Sequence, residues 1–140
     1  MREADAACAV AREWLMRAES DLKAAAFLMK MGSTCPTEVV CFHAQQCVEK
    51  YFKAPLVLEQ RDFPKTHDLA RLVALIGHRR AVDLSNAELA QLTDHAVAAR
   101  YPGSGEVPLS EARRALALAR RARSSIRVLL PLAVKRRSRR

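Results

Sequence analysis

The stretch CFHAQQCVEKYFK, residues 41–53, decides the fold of this chain. Placed at about 100° per residue around a helix axis, its apolar and polar side chains separate onto two sides. The side that we expect to face the core carries Val40, Ala44, Val48, Tyr51 and Phe52. The opposite side carries Gln45, Gln46 and Glu49, and the seam at its edge carries His43, Cys47 and Lys50. Glutamines and a histidine indicate a half-buried polar face, covered by another helix or by a second copy of the chain.

The positive charge of the chain is concentrated at its C-terminal end. Residues 1–110 hold 13 Lys or Arg and 14 Asp or Glu, whereas residues 111–140 hold 11 Lys or Arg and one Glu. The body is therefore near neutral, and the last segment carries the whole excess of +9. Unbalanced positive charge of this kind binds RNA, DNA or an acidic protein surface without sequence preference. A simply solvated helix face is the alternative, and the few aromatic residues do not indicate base stacking.

The length and bulk composition predict one domain with a buried core. A chain of 140 residues, half of them apolar, is long enough to bury a core. No apolar run reaches the roughly 20 residues that span a membrane, and the N-terminus lacks a signal-peptide pattern, so we expect a cytoplasmic protein. The four cysteines form no CxxC pair, which favours buried thiols in a reducing compartment over a metal site. We expect neither a metal nor a cofactor.

Apolar periodicity and capping residues predict an antiparallel, up-and-down bundle of five helices. The helices are expected at about residues 8–31, 37–59, 66–77, 85–98 and 110–130. Thr37, Thr66, Ser85 and Ser110 are the expected N-caps, and Glu88 completes a capping box with Ser85. Pro55 lies inside the second helix and predicts a kink. The domain is expected to cover residues 1–132, and residues 133–140 form a basic tail that we expect to be disordered.

Three segments of the sequence resemble HEPN domains, a family of small all-helical prokaryotic proteins. They are the FHAQQCVEK segment within residues 41–53, PKTHDLARL at 64–72 and AARYPG at 98–103. They follow the order and the approximate spacing of that family, and the resemblance covers roughly residues 11–130. It implies a helical homodimer, often encoded beside a minimal nucleotidyltransferase in an arrangement like a toxin–antitoxin pair. Many members of the family are metal-independent ribonucleases in which four to six residues separate an Arg from the His that follows it.

Two pairs of residues in this sequence satisfy that spacing, Arg61 with His67 and Arg71 with His78. In such a site the His moves the proton of the 2′-hydroxyl and the Arg holds the charged phosphorane. A chain with 24 basic residues and four histidines also produces such pairs by chance. Arg61 and His67 are the catalytic candidates. The alternative for His67 is a structural role in the first turn of the third helix.

A second candidate site is a groove that binds a phosphate or another ligand. Its expected residues are His43, Gln46, Lys50, Lys53, Arg100 and Tyr101. In the alternative arrangement Arg100 reaches back to Glu49 across the bundle, Tyr101 covers the edge of the core and His43 is a satisfied, half-buried histidine.

The sequence therefore supports three functions. The first is a non-enzymatic HEPN protein that binds a nucleotide, a nucleic acid or a nucleotidyltransferase. The second is a ribonuclease toxin that uses an Arg–His pair. The third is a polyanion-binding module that uses Lys50, Lys53, Arg100 and the arginines of the fifth helix.

Overall fold

The computed structural model describes residues 2–98, 102 and 105–136, and no strand occurs within these ranges. The described ranges contain six α-helices: α1 (Arg2–Met29), α2 (Thr37–Leu58), α3 (Leu69–Ala74), α4 (Asn86–Ala98), α5 (Leu109–Leu129) and α6 (Leu132–Lys135). Two short 3-10 turns, Gly32–Thr34 and Arg79–Ala81, precede α2 and α4. The predicted all-α bundle is confirmed, with four long helices and two short ones.

Helix α2 is the centre of the bundle, because α1, α3, α4 and α5 all pack against it. Its predicted core side is buried: Val40, Ala44, Val48, Tyr51 and Phe52 are all 0% exposed. The polar side of α2 is also covered, since Gln45 and Glu49 are buried against neighbouring elements. This explains why this side of the helix carries glutamines and a carboxylate with internal partners, where a surface helix carries solvated charges.

Side-chain caps fix the start of two helices. Ser85 and Glu88 form the predicted capping box: the Ser85 Oγ accepts from the Glu88 N–H at 3.1 Å, and a Glu88 carboxylate oxygen accepts from the Ser85 N–H at 2.9 Å. The predicted cap at Thr66 is wrong. The Thr66 hydroxyl accepts from the N–H of Asp68, and Asp68 itself caps α3 by accepting from the Arg71 N–H.

The caps predicted at Thr37 and Ser110 are also wrong, because both residues lie inside their helices. Pro36 and Pro108 occupy the capping positions of α2 and α5, and neither forms a side-chain cap. The Thr37 hydroxyl instead donates to the Val107 carbonyl at 2.7 Å, which ties the start of α2 to the segment before α5.

Two details differ from the sequence-based expectation. The third helix is only six residues long, because its N-cap lies two residues further on and Leu75 already ends it. Residues 132–135 form α6, whose Val134 is buried, so the expected boundary at residue 132 falls inside an ordered helix. Helix α2 continues through Pro55 to Leu58, close to its expected end, although Pro55 removes the hydrogen bond that an N–H at this position would donate to the Tyr51 carbonyl. The kink there stays a prediction.

Candidate functional site

The buried carboxylate of Glu49 gathers the polar groups on one side of α2. One oxygen, Oε1, lies 2.7 Å from His67 Nδ1 and accepts from Gln45 Nε2 at 3.3 Å. The other oxygen accepts from Lys53 Nζ at 3.1 Å. Gln45 also donates to the backbone carbonyl of His67 at 3.1 Å and accepts from Gln46 Nε2 at 2.7 Å. The cluster thereby fastens the segment before α3 to α2.

Two aromatic rings complete the environment of Lys53. Its ammonium nitrogen lies 5.1 Å from the ring centroid of Trp14 and 5.7 Å from that of Phe63. Cation–π attraction and the Glu49 carboxylate together compensate the burial of a side chain that is only 14% exposed. Lys53 is therefore held by the protein itself and does not present a free charge to a phosphate.

Asp21 of α1 contacts two basic side chains, His43 and Lys50, on the neighbouring part of α2. Its Oδ1 lies 2.9 Å from His43 Nδ1, and its Oδ2 accepts from Lys50 Nζ at 2.5 Å. The Asp21 side chain is 13% exposed and that of Lys50 is 22% exposed. The contacts of His43 and Lys50 with Asp21 thus link α2 to α1. The Asp21 carboxylate balances the charge of Lys50 within the fold.

In the structure, Arg61 and His67 contact different groups. Arg61 donates to the Leu75 carbonyl at 3.0 Å and pairs with the Glu59 carboxylate at 3.0 Å. His67 bonds to Glu49, and the described residues show no hydrogen bond between the Arg61 and His67 side chains. The side chain of His67 is 50% exposed, so its ring is held on one edge and open to solvent elsewhere.

The second Arg–His pair lies at the other end of α3. Arg71 is exposed within α3, and His78 is exposed at the residue that precedes the Arg79–Ala81 turn. No hydrogen bond between these two side chains occurs within the described ranges. Arg100 and Tyr101 lie outside the described residues, so the predicted contact of Arg100 with Glu49 and the cover by Tyr101 stay predictions.

The arginines of α5 divide into paired and exposed members. Arg121 donates to a Glu88 carboxylate oxygen at 2.7 Å and to the Asp83 carbonyl at 2.7 Å. On the other flank of α5, Arg123 and Arg127 share Glu19 of α1 at 3.0 Å and 3.2 Å. Three exposed arginines form no ion pair with the described residues, namely Arg113, Arg114 and Arg120.

Burial shifts the pKa values of several groups near the core. It raises the pKa of the Cys41 thiol to about 12, with the charge of Glu111 adding to the shift. Burial likewise raises the pKa of the Cys47 thiol and of the Tyr51 phenol well above their ordinary values. The pKa of His95 is lowered because the ring is buried, although Glu111 and Asp94 oppose that shift. These groups therefore remain uncharged at neutral pH.

Within the ranges that the structure describes, no group of three or more potential ligands is arranged for a metal ion. None of the described helices is long and apolar enough to span a membrane.

The sequence reasoning found most residues of the two polar clusters and missed their partners. Trp14, Phe63 and Asp21 come from other segments, and no motif connects them with α2. Glu19 was missed for the same reason, because its partners Arg123 and Arg127 lie 104 and 108 positions further along the chain.

Comparison with known proteins gives two findings. The sequence profile of the HEPN domain family matches residues 11–129. The crystal structure of TT1696 from Thermus thermophilus has a similar fold, with a TM-score of 0.71 and 24% sequence identity over 86% of this chain and 98% of that chain. No curated protein matches the sequence significantly.

Proposed function

Because this chain belongs to the HEPN domain family, we propose that it is a non-enzymatic binding partner that associates with a nucleotide or a nucleic acid. The family has nucleotide- and RNA-related functions, and membership supports this class of ligand. In our proposal the protein is a homodimer in the cytoplasm of a prokaryote. It works with a nucleotidyltransferase in a pair that resembles a toxin–antitoxin system.

The observation that carries the proposal is that Arg61 and His67 are held by different partners. Cleavage of RNA needs a cation that stabilises the phosphorane next to the group that moves the 2′-hydroxyl proton. Here the Arg61 guanidinium is held by Leu75 and Glu59, and His67 is held by Glu49. Lys50 and Lys53 offer no replacement, since Asp21 and Glu49 already neutralise them.

The exposed side of α5 supports contact with a polyanion. Arg113 and Arg120 lie seven residues apart, so they share one side of the helix at a separation of about 10 Å. Ala117 lies between them on this side, and Ser124 lies one turn beyond Arg120. Both residues are small and exposed. Two guanidinium groups with small side chains between them suit a phosphate backbone, and the exposed Val128 lies one turn beyond Ser124 on the same side.

The test measures binding and cleavage of a fluorescein-labelled single-stranded RNA in EDTA. We expect anisotropy to report binding that weakens steeply with salt, while a denaturing gel shows intact RNA. Arg120→Gln should reduce the slope of log K against log salt by about 0.7, the value of one lost phosphate contact. Arg121→Gln is the matched control, because it removes the same charge from the next residue but Asp83 and Glu88 already hold that arginine.

The proposal fails if the RNA does not bind at low salt, or if it is cut by the unmodified protein. Equal effects of the two substitutions would show that net charge, rather than the exposed arginines of α5, governs binding.

A ribonuclease is the second candidate, and the arrangement of His67 favours it. A buried carboxylate that holds one ring nitrogen while the other edge faces solvent is the arrangement that orients a general base. If the protein cuts RNA in EDTA, His67→Ala should abolish cleavage. Glu49→Gln should then reduce cleavage and leave RNA binding unchanged.

A further inference from the structure

A cavity of about 350 Å³ lies between α4 and α5, beside the segment that precedes α5. Its floor is apolar, because Leu92 of α4 and Ala115 and Leu118 of α5 are buried there. Its rim is polar, and the rim residues come from α4, from α5 and from the segment before α5. Small-molecule sites in proteins have volumes of about 300–1,000 Å³. The cavity is therefore large enough to hold a small organic ligand.

The rim of this cavity carries more acids than bases. Asp94, Glu106 and Glu111 supply three carboxylates, and Arg114 supplies one guanidinium, which leaves a formal charge of −2. All four residues are exposed, and none of the three carboxylates forms an ion pair with a lysine or an arginine in the described parts of the chain. The whole chain, in contrast, carries a net charge of +9. The rim is therefore a local acidic surface that attracts a cation.

His95 is the buried polar group that lines the cavity. Its side chain is 10% exposed and forms no hydrogen bond with the described residues, since Glu111 Oε1 lies 3.6 Å from its Nε2. Burial lowers the pKa of His95, so the ring is neutral at neutral pH and keeps one nitrogen as an acceptor. Most buried polar side chains have a hydrogen-bond partner. A buried neutral ring that lacks one and lines a cavity indicates that a ligand supplies the missing donor.

We propose that this cavity binds a small polyamine, a chain of methylene groups that carries two or more protonated amino groups. The methylene groups lie on the apolar floor, one ammonium group donates to the acceptor nitrogen of His95, and another pairs with the carboxylates of the rim. An ammonium group has three N–H donors and no acceptor, so it can satisfy a ring nitrogen and a carboxylate together. The proposal goes beyond RNA binding through α5 and does not depend on it.

Two other classes of ligand fit the cavity less well. A metal ion needs several ligands around one point, and the described residues contain no group of three or more that is arranged in this way. An anion such as phosphate would meet three carboxylates and a single guanidinium at the rim. A polyamine can instead reach carboxylates on different elements, because its charges are spread along a flexible chain.

Isothermal titration calorimetry of the full chain with spermidine at low salt tests the site. We expect saturable binding of one spermidine per chain, whereas magnesium chloride at the same ionic strength should give no saturable heat. Heat that never saturates, or that magnesium reproduces, would overturn the proposal, because diffuse screening of the rim would then explain the signal.

Removal of two rim acids tests the role of charge. The double variant Glu106→Gln with Glu111→Gln should weaken spermidine binding by about tenfold, the loss expected for two exposed ion pairs. Glu3→Gln with Glu13→Gln is the matched control, because it removes the same charge from two exposed acids of α1 and should change the dissociation constant by less than about twofold. Equal weakening by the two double variants would overturn the proposal in favour of an effect of net charge.

Two further variants test the position of the site without changing the charge of the rim. Ala115→Met extends a side chain that lines the cavity and should weaken spermidine binding by about tenfold or more, whereas Ala117→Met makes the same change at an exposed position of α5 outside the cavity and should leave binding intact. His95→Phe keeps a ring but removes the acceptor nitrogen, and it serves if Ala115→Met does not fold. Thermal unfolding by circular dichroism identifies the folded variants. Unchanged binding in folded Ala115→Met or His95→Phe would overturn the cavity as the site.

Discussion

Removing the charge of Glu49 should destabilise the fold more than removing any exposed acid. The Glu49 side chain is 6% exposed and contacts three donors: Lys53 at 3.1 Å, His67 at 2.7 Å and Gln45 at 3.3 Å. Glu49→Gln keeps the size of the side chain but leaves the Lys53 ammonium without a countercharge. Breaking a buried ion pair by removing one partner costs about 3–5 kcal/mol. The rings of Trp14 and Phe63 still attract the cation, so we expect a loss of about 2–3 kcal/mol in the free energy of unfolding.

A double-mutant cycle isolates the ion pair from the other contacts of Glu49. Lys53→Met removes the cation and retains an apolar stem between the two rings, and we expect it to cost about 1–2 kcal/mol. In the variant that carries both substitutions no uncompensated charge remains. The double variant should therefore lose about 1.5 kcal/mol less in the free energy of unfolding than the sum of the losses of the two single variants.

Urea unfolding followed by circular dichroism measures these free energies. The pair of Glu13 and Arg17 supplies a control, because it has the same spacing of four residues but side chains that are 64% and 66% exposed. Glu13→Gln should change stability by no more than about 0.5 kcal/mol. If Glu49→Gln costs as little as Glu13→Gln, or if the two losses in the cycle add fully, the Glu49 cluster does not stabilise the bundle as described.

Three further predictions concern groups elsewhere in the bundle. Hydrogen bonds from Arg121 and Ser85 lower the pKa of Glu88 to about 2 from an ordinary 4.5, so this group contributes stability that is present above pH 4.5 and lost as the pH falls towards 2. Arg121→Gln should lower stability at neutral pH and flatten its loss across that acid range, as measured by urea unfolding at several pH values. Tyr51→Phe should change stability by less than about 1 kcal/mol, because the buried Tyr51 hydroxyl lies near Glu19 and Arg123 but forms no hydrogen bond of good geometry with the described residues; a larger loss in the same assay would contradict this. The raised pKa values of the Cys41 and Cys47 thiols predict that a disulfide reagent labels the half-buried Cys8 and Cys35 first and reaches the other two only on unfolding, as mass spectrometry of the labelled protein would show.

The sequence predicted the helices and the buried side of α2 because periodicity is a local property. The core residues of α2 follow from their angular positions, and the capping box of Ser85 and Glu88 follows from a spacing of three. The start of α3 was misplaced because Thr66 and Asp68 are both good caps, and their hydrogen bonds decide between them only in the folded chain.

The partners of the polar side of α2 were less predictable, because they come from distant segments. Half-burial of this side was expected from its glutamines and His43. The pairing of Lys50 with Asp21, however, joins residues that are 29 positions apart, and that of Glu49 with His67 spans 18. Such pairs depend on how the helices pack, and the spacing of residues in the sequence does not predict that packing. For the same reason the sequence assigned Lys50 and Lys53 to a phosphate groove, whereas the structure shows their charges balanced within the fold.

The most direct test of this account compares stability with RNA binding in His67→Ala. If the polar groups of α2 are structural and the ligand contacts α5, the substitution should lower the free energy of unfolding by about 1 kcal/mol, through loss of the hydrogen bond to Glu49. The dissociation constant for single-stranded RNA should then stay within about twofold of that of the unmodified protein. An unchanged stability together with binding weakened by about tenfold or more would contradict the account and place the ligand at His67.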